Sequence, residues 1–294
     1  MSASPNWRRS SRPCRTAAED TVGRLAERAG TDAQVVWVDY IDYVGPLLAP
    51  GGIPWTDEAA MVALYRKAQG LLGSDVITLP LWPLACASMA HAPGLMEQMH
   101  AKKRSTHPLR CLLASEALRE SSLNIAKALR SVYADAILAL CVPSPRLAIV
   151  LAARENLREA DGLVVGEDEV DSAALYMADF LRVFSEAGVD VLLLQESAQT
   201  DPPKPKEIEW YRPLLNVAAH YRWDVGLQLA RTGAPAHEVP VDFIIDEQAS
   251  TVVRFSRPRP GGQVPGFRYL RVPPDSAPEE ALQRLRAIRS STAN

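Results

Sequence analysis

Residues 190–197 read DVLLLQES, four apolar residues in a row closed by Gln195, Glu196 and Ser197. A run this short, entered through Gly188 and Asp190, fits a strand buried on both faces, because a half-exposed strand would alternate polar and apolar residues. Strands of that kind belong to parallel sheets covered by helices. The sudden polar end means that the strand either meets water there or presents an amide, a carboxylate and a hydroxyl to a ligand.

Similar runs stand on both sides of it. QVVWVDY (34–40), SDVITLPLW (74–82), DAILALCVPSP (135–145), WDVGLQLA (223–230), VDFIIDE (241–247), TVVRF (251–255) and FRYLRV (267–272) complete a set of eight strand candidates. Helical spacing fills the early intervals. Behind Thr56 as N-cap, with Asp57 and Glu58 in the first turn, Met61, Leu64, Tyr65, Ala68 and Leu72 share one face. From Asp168 onward Val170, Ala174, Met177, Leu181 and Phe184 do the same, and Gly188 stands where a helix C-cap belongs. Segments 111–132, 145–159 and 277–289 also read as helices.

Strands alternating with helices indicate a parallel α/β architecture, and eight candidates point to a TIM-type (β/α)8 barrel. The gap between 241–247 and 251–255 is too short for a parallel crossover, which needs about ten residues or more. That pair is therefore expected to be a hairpin, or one of the two is not a strand, and the barrel is expected to be shortened or degenerate in its C-terminal third. Residues 31–294 are expected to form one domain.

The chain has 294 residues, 32 basic against 35 acidic, and a net charge of -3. It lacks the basic excess that binding to nucleic acid or anionic lipid would require. Residues 1–30 are locally basic through Arg8, Arg9, Arg12 and Arg15, with no apolar segment behind them, and are expected to be a poorly ordered tail or the product of an upstream start codon, an organellar leader being the weaker alternative. The uncharged stretch 76–96 is interrupted by Pro80, Pro83 and Pro93, so a buried strand followed by a loop is expected there, not a membrane span. The expected setting is cytoplasmic. Cys14, Cys86, Cys111 and Cys141 are too widely spaced for a zinc knuckle or a redox pair and are expected to be reduced thiols. No Ser-His-Asp triad, Walker loop or G-x-G-x-x-G fingerprint is present.

Three segments carry a resemblance. AALYMADFLRVFSEAGVDVLLLQES, LALCVPSPRLA and FRYLRVPPDSAPEEALQRLRAI resemble, in order and character, parts of the uroporphyrinogen decarboxylase superfamily, which is related to cobalamin-independent methionine synthase. The resemblance covers about 35–294 with weak identity. It implies a TIM-type barrel with its site at the C-terminal ends of the strands, and either cofactor-free decarboxylation or zinc-dependent methyl transfer. This sequence departs from that pattern. VDYIDYVG replaces the arginine-rich loop after the first strand, LPLWP replaces an aspartate after the second, and RVPPD contains no histidine. No cysteine follows Cys141, which removes the thiolate ligands of the zinc enzymes. The chemistry is therefore expected to differ from tetrapyrrole decarboxylation, and neither a metal nor a cofactor is expected.

In a barrel the candidates are the polar residues just past each strand. Glu196, Asp39 and Tyr43 are the expected catalytic groups, since carboxylates in a half-dry mouth can serve as general acid or base. Tyr40, Trp82, Ser144, Arg146, Gln195, Gln228, Arg231 and Asp246 are the expected substrate contacts, Trp82 by stacking and Arg146 by holding an anion bidentately. Glu247, Arg254 and Arg271 are further polar residues near late strand ends, the two arginines expected to point inward. Of Gln195 and Glu196 one should face the ligand, and Glu196 is favoured, in a solvated mouth. The activity expected is a metal-independent lyase, performing decarboxylation or a related C–C or C–N cleavage on a small anionic, aromatic-compatible metabolite. The rivals are a methyl or alkyl transferase using a folate or corrinoid donor without zinc, and a non-catalytic ligand-binding relative. A homodimer is left open.

Overall fold

The computed structural model describes residues 23–31, 34–155, 163, 165–197, 202–230, 239–246, 251–256 and 266–290. Its strands are β1 (Val36–Asp39), β2 (Val76–Pro80), β3 (Ile137–Pro143), β4 (Val191–Gln195), β5 (Asp224–Leu229), β6 (Phe243–Asp246), β7 (Val252–Arg254) and β8 (Gly266–Arg271). The helices of the first half are α1 (Arg24–Ala29), α2 (Ile41–Leu48), α3 (Glu58–Leu72), α4 (Leu81–Ala90), α5 (Pro93–His100), α6 (His107–Ala114) and α7 (Glu116–Val132). Those of the second half are α8 (Pro145–Glu155), α9 (Glu167–Leu181), α10 (Pro205–Glu209), α11 (Arg212–Tyr221) and α12 (Pro278–Ser290).

The protein is α/β. β2 to β6 form one all-parallel sheet in sequence order, and β1, β8 and β7 form a second sheet in which β1 and β8 are parallel and β7 is antiparallel. The hydrogen-bonded ladder is not continuous around the two sheets. At one seam Asp75 N–H donates to Val36 O while the Asp75 carboxylate accepts the N–H of Val36. At the other, Phe243 and Phe255 form a single antiparallel bridge and Ser256 N–H donates to Asp242 O. The hairpin expected over 241–255 is thus reduced to one bridge, and β7 pairs with β8 instead.

The Asp75 device recurs. Asp190, just before β4, exchanges both bonds with Leu138 of β3, and Asp242, just before β6, does so with Val225 of β5. In each case an aspartate one residue ahead of a strand extends the pairing with the preceding strand. This satisfies an edge N–H and fixes the register at the N-terminal end of the strands.

Two cores result from the period-two alternation of buried strands. One lies between the sheets and takes Trp37, Val76, Ile137, Ala139, Val191, Leu193, Phe243, Ile245, Val253, Phe267 and Tyr269. The other takes the opposite strand faces, such as Val38, Ile77, Leu192 and Leu194, and packs them against the helices. The first core is aromatic at one side, where Phe243 packs edge-on to Phe267 with centroids 5.1 Å apart. Gly226 makes room for it, since a Cβ there would lie 2.2 Å from the Phe243 ring.

The N-terminal ends of the strands are covered by α1. Leu25 enters the inner core, and the N–H groups of Leu25 and Ala26 donate to the carboxylate of Asp224, the first residue of β5. Burial pushes the Asp224 carboxyl up to about 7; the Ala26 and Leu25 N–H bonds oppose the rise, and nearby Asp242 and Asp190 add to it. Part of the segment expected as a tail is therefore ordered, while residues 1–22, with Cys14 and Arg8 to Arg15, lie outside the described residues. α12 returns to the same end, where Arg289 donates to the carbonyls of Leu72 and Gly73.

Several local expectations change. The stretch after β2 is a helix, α4, and not a loop, because Pro83 falls in the first turn, where no backbone N–H is needed. Asp57 rather than Thr56 caps α3, accepting from Ala60 N–H. The single helix expected over 111–132 is two, broken at extended Ser115. No described helix is long and apolar enough to cross a membrane.

Candidate functional site

Alternation along the strands decides which polar residues share the inner face at the C-terminal ends. Gln195 lies two residues past Leu193, Gln228 two past Gly226, Asp39 two past Trp37, and Tyr269 lies in the inner core itself. The four are joined in one file. Gln195 Nε2 donates to Gln228 Oε1 at 3.0 Å, Gln228 Nε2 to Tyr269 Oη at 2.8 Å, and Tyr269 Oη to Asp39 Oδ2 at 3.0 Å. This file runs from β4 across β5 to β8 and β1 and so spans both sheets. Gln228 and Tyr269 are buried, while Gln195 and Asp39 at its ends are half-buried. The adjoining inner-face positions on β2 and β3 are Pro80 and Pro143, which leave that side of the rim apolar.

Glu196 turns the other way, toward the helices. Its side chain is only 3 % exposed and both oxygens are engaged, Oε1 by Tyr211 Oη at 2.8 Å and Oε2 by Arg146 at 3.1 Å. Arg146, in the first turn of α8, also lies 3.9 Å from Glu207 of α10. Burial alone would lower the Arg146 pKa, but Glu196, Tyr211 and Glu207 together more than offset this and the guanidinium is held charged. Tyr211 is pushed well above an ordinary phenol by burial and then by Glu196. Ser144 completes the cluster: its N–H donates to Gln195 O, its hydroxyl accepts from Leu147 N–H at the start of α8, and it shares a hydrogen bond with Tyr211.

The sequence candidates therefore fall into separate groups. Asp39, Gln195 and Gln228 meet in the inner file, and Glu196, Arg146 and Ser144 meet behind it, the two groups joined through Gln195, the last residue of β4, and Glu196 next to it. Tyr40 and Tyr43 are buried on the helix side of β1, Tyr40 edge-on to Tyr65, and their hydroxyls have no partner among the described residues. Trp82 sits in α4 and lines an apolar cavity of about 20 Å³ with Val142, Pro143 and Phe180. Asp246 ends β6 and is half-buried. Arg231 and Glu247 lie outside the described residues. Contrary to expectation, Arg254 is exposed, and Arg271 reaches past the strand end to pair with Asp42 of α2.

Tyr269, Tyr211 and Glu207 were not among the sequence candidates. Tyr269 was legible in principle, since FRYLRV alternates and Tyr269 follows Phe267 on the buried face. Tyr211 had no such signal, because only the fold brings it to Glu196.

The inner file can accept or relay a proton at Asp39 and offer amide groups at Gln195. Among the described residues no three His, Cys, Asp or Glu side chains come together as metal ligands would. No protein-family model matches the chain, and neither a curated protein nor a solved structure is detectably similar to it.

Proposed function

We propose that this protein is a small-molecule enzyme of the lyase type, acting at the C-terminal strand ends by proton transfer without a metal. Decarboxylation or a related C–C or C–N cleavage is the chemistry that the groups present can serve. The observation that carries this is the file from Gln195 to Asp39, in which residues of four strands and both sheets are hydrogen-bonded around one rim. Asp39 is the proton acceptor and Tyr269 holds it in place. Glu196 acts at one remove, by fixing Arg146 and Tyr211 and with them the end of β4.

A divided TIM-type barrel is the proposed framework. Three observations support it: the shared inner core, the Asp75 clamp at one seam, and the Phe243–Phe255 bridge at the other. The resemblance to the uroporphyrinogen decarboxylase superfamily is consistent with this framework and is proposed as distant kinship. A second reading, a ligand-binding relative without turnover, is favoured by one fact: the best-placed carboxylate past β4, Glu196, has both oxygens occupied.

The test is a panel of small 2-oxo, 2-amino and aromatic acids assayed for release of CO₂ or ammonia, wild type against Asp39→Asn. Release by the wild type that falls by at least about a hundredfold in the variant is expected, in line with loss of a general acid or base. Release that survives the substitution overturns the role of Asp39. Saturable binding at the rim with no release from any compound supports the non-catalytic reading.

A further inference from the structure

The file of hydrogen bonds at the rim has a direction, and the direction selects the ligand. An ionised carboxylate can only accept, so Tyr269 must spend its single hydroxyl proton on Asp39, 3.0 Å away. Tyr269 Oη can then only accept from Gln228, which turns the Gln228 NH₂ toward Tyr269 and its Oε1 toward Gln195. Gln195 must answer with its own NH₂. Both amides are thereby oriented by the carboxylate at the far end, and Gln195 Oε1 is left facing away from Gln228. Its neighbour across the β3 ladder is Pro143, which has no N–H to give it. No donor to Gln195 Oε1 is present among the described residues, and Gln195 is half-buried.

Resting on the proposed site at the strand ends, we infer that Gln195 Oε1 reads a hydrogen-bond donor on the ligand. The group that docks there is an N–H or O–H, such as an amide, amine or hydroxyl, flanked on the Pro80 and Pro143 side by an apolar face. A carboxylate or phosphate oxygen is disfavoured at this position, because acceptor would meet acceptor. Arg146, the other anchor for an anion, is already neutralised by Glu196. The ligand's donor end thus lies over β4 and its apolar flank over β2 and β3. Tyr269 acts as a positioning residue: it need not touch the ligand, yet it locks the polarity of both amides.

Two probes differing in one donor make the test: 2-pyrrolidinone, which has a lactam N–H, and N-methyl-2-pyrrolidinone, which lacks it. The whole protein, labelled with ¹⁵N-glutamine, is titrated with each while the side-chain amide resonances of Gln195 and Gln228 are followed. The lactam is expected to shift both resonances saturably, and the methylated probe to bind at least about tenfold more weakly, the usual penalty for a buried acceptor left without a partner. Gln195→Met should remove the lactam response. Tyr269→Phe keeps the ring in the core but frees Gln228 to turn over, so the preference between the two probes should shrink severalfold while binding persists. Equal affinities in the wild type overturn the donor rule but leave the rim as a binding site. An unchanged preference in Tyr269→Phe overturns the polarity argument. No saturable response to either probe removes the rim as a small-molecule site and the inference with it.

Discussion

Glu196 shows how one residue's surroundings decide its job. A carboxylate after a buried strand is a natural acid–base candidate, and its sequence position gave no means of telling which way it turns. The alternation of β4 does: Leu192 and Leu194 pack on helices, so Glu196 follows them, and Gln195 follows Leu193 inward. A residue on the helix side must be paired, because an unpartnered charge there would be too costly. Glu196→Gln is therefore expected to lower stability by roughly 2–3 kcal/mol, short of the most severe loss for a broken buried pair because Glu207 remains near Arg146. Denaturant titration checks this; a change below about 0.5 kcal/mol, typical of a solvated surface site, would place Glu196 in water. Tyr211→Phe offers no equivalent signal, since it leaves the ion pair intact.

Among the elements, the strands were the legible part. Each of the eight runs overlaps a strand: β2, β3 and β4 show as short, nearly unbroken apolar runs because both of their faces are buried, and β8 shows by alternation because only one of its faces is. Helices were readable where one face alone is buried, as in α3 and α9. Proline hides a helix in α4, where Pro83 suggests a loop. α10 and α11, with Pro205 and Pro213 in their first turns, carry no helical signal in the sequence reading, although proline favours a helix's first turn as much as it punctuates loops. Close packing between elements was not legible at all. The sequence does not reveal that Gly226 of β5 lies under the ring of Phe243 on β6. Gly226→Ala is expected to cost about 1–3 kcal/mol through overpacking, and Gly226→Ala combined with Phe243→Leu should recover at least half of the loss. Equilibrium unfolding of both variants, with an unchanged denaturant slope, is the measurement.

At the scale of the whole molecule the two strand ends are built differently. The C-terminal rim gathers the amide–tyrosine–aspartate file, and the N-terminal rim gathers aspartates that close ladders and hold α1. Strand order around the sheets follows from sequence order, but the division into two sheets does not, because it depends on which seam residues complete a ladder. The pH dependence of stability belongs to this scale. Asp224 titrates near 7 when folded and near an ordinary carboxyl when unfolded, so between about pH 4 and pH 7 the folded form holds the extra proton. Its contribution is fully present at the low end of that window and is lost as pH rises through it, on the order of 4 kcal/mol at most. The difference in stability between wild type and Asp224→Asn, measured across the window, should therefore change with pH in that sense; a constant difference would place the folded carboxyl at an ordinary pKa.

α1 and α12 both reach the N-terminal ends of the strands, Leu25 by entering the core there and Arg289 by gripping the end of α3. An anchoring linker or dye coupled to either helix itself, at exposed Glu27 or Ser290, would therefore hang beneath the molecule. Protein tethered to a sensor surface that way would keep its amide-bearing rim turned to the flowing solution.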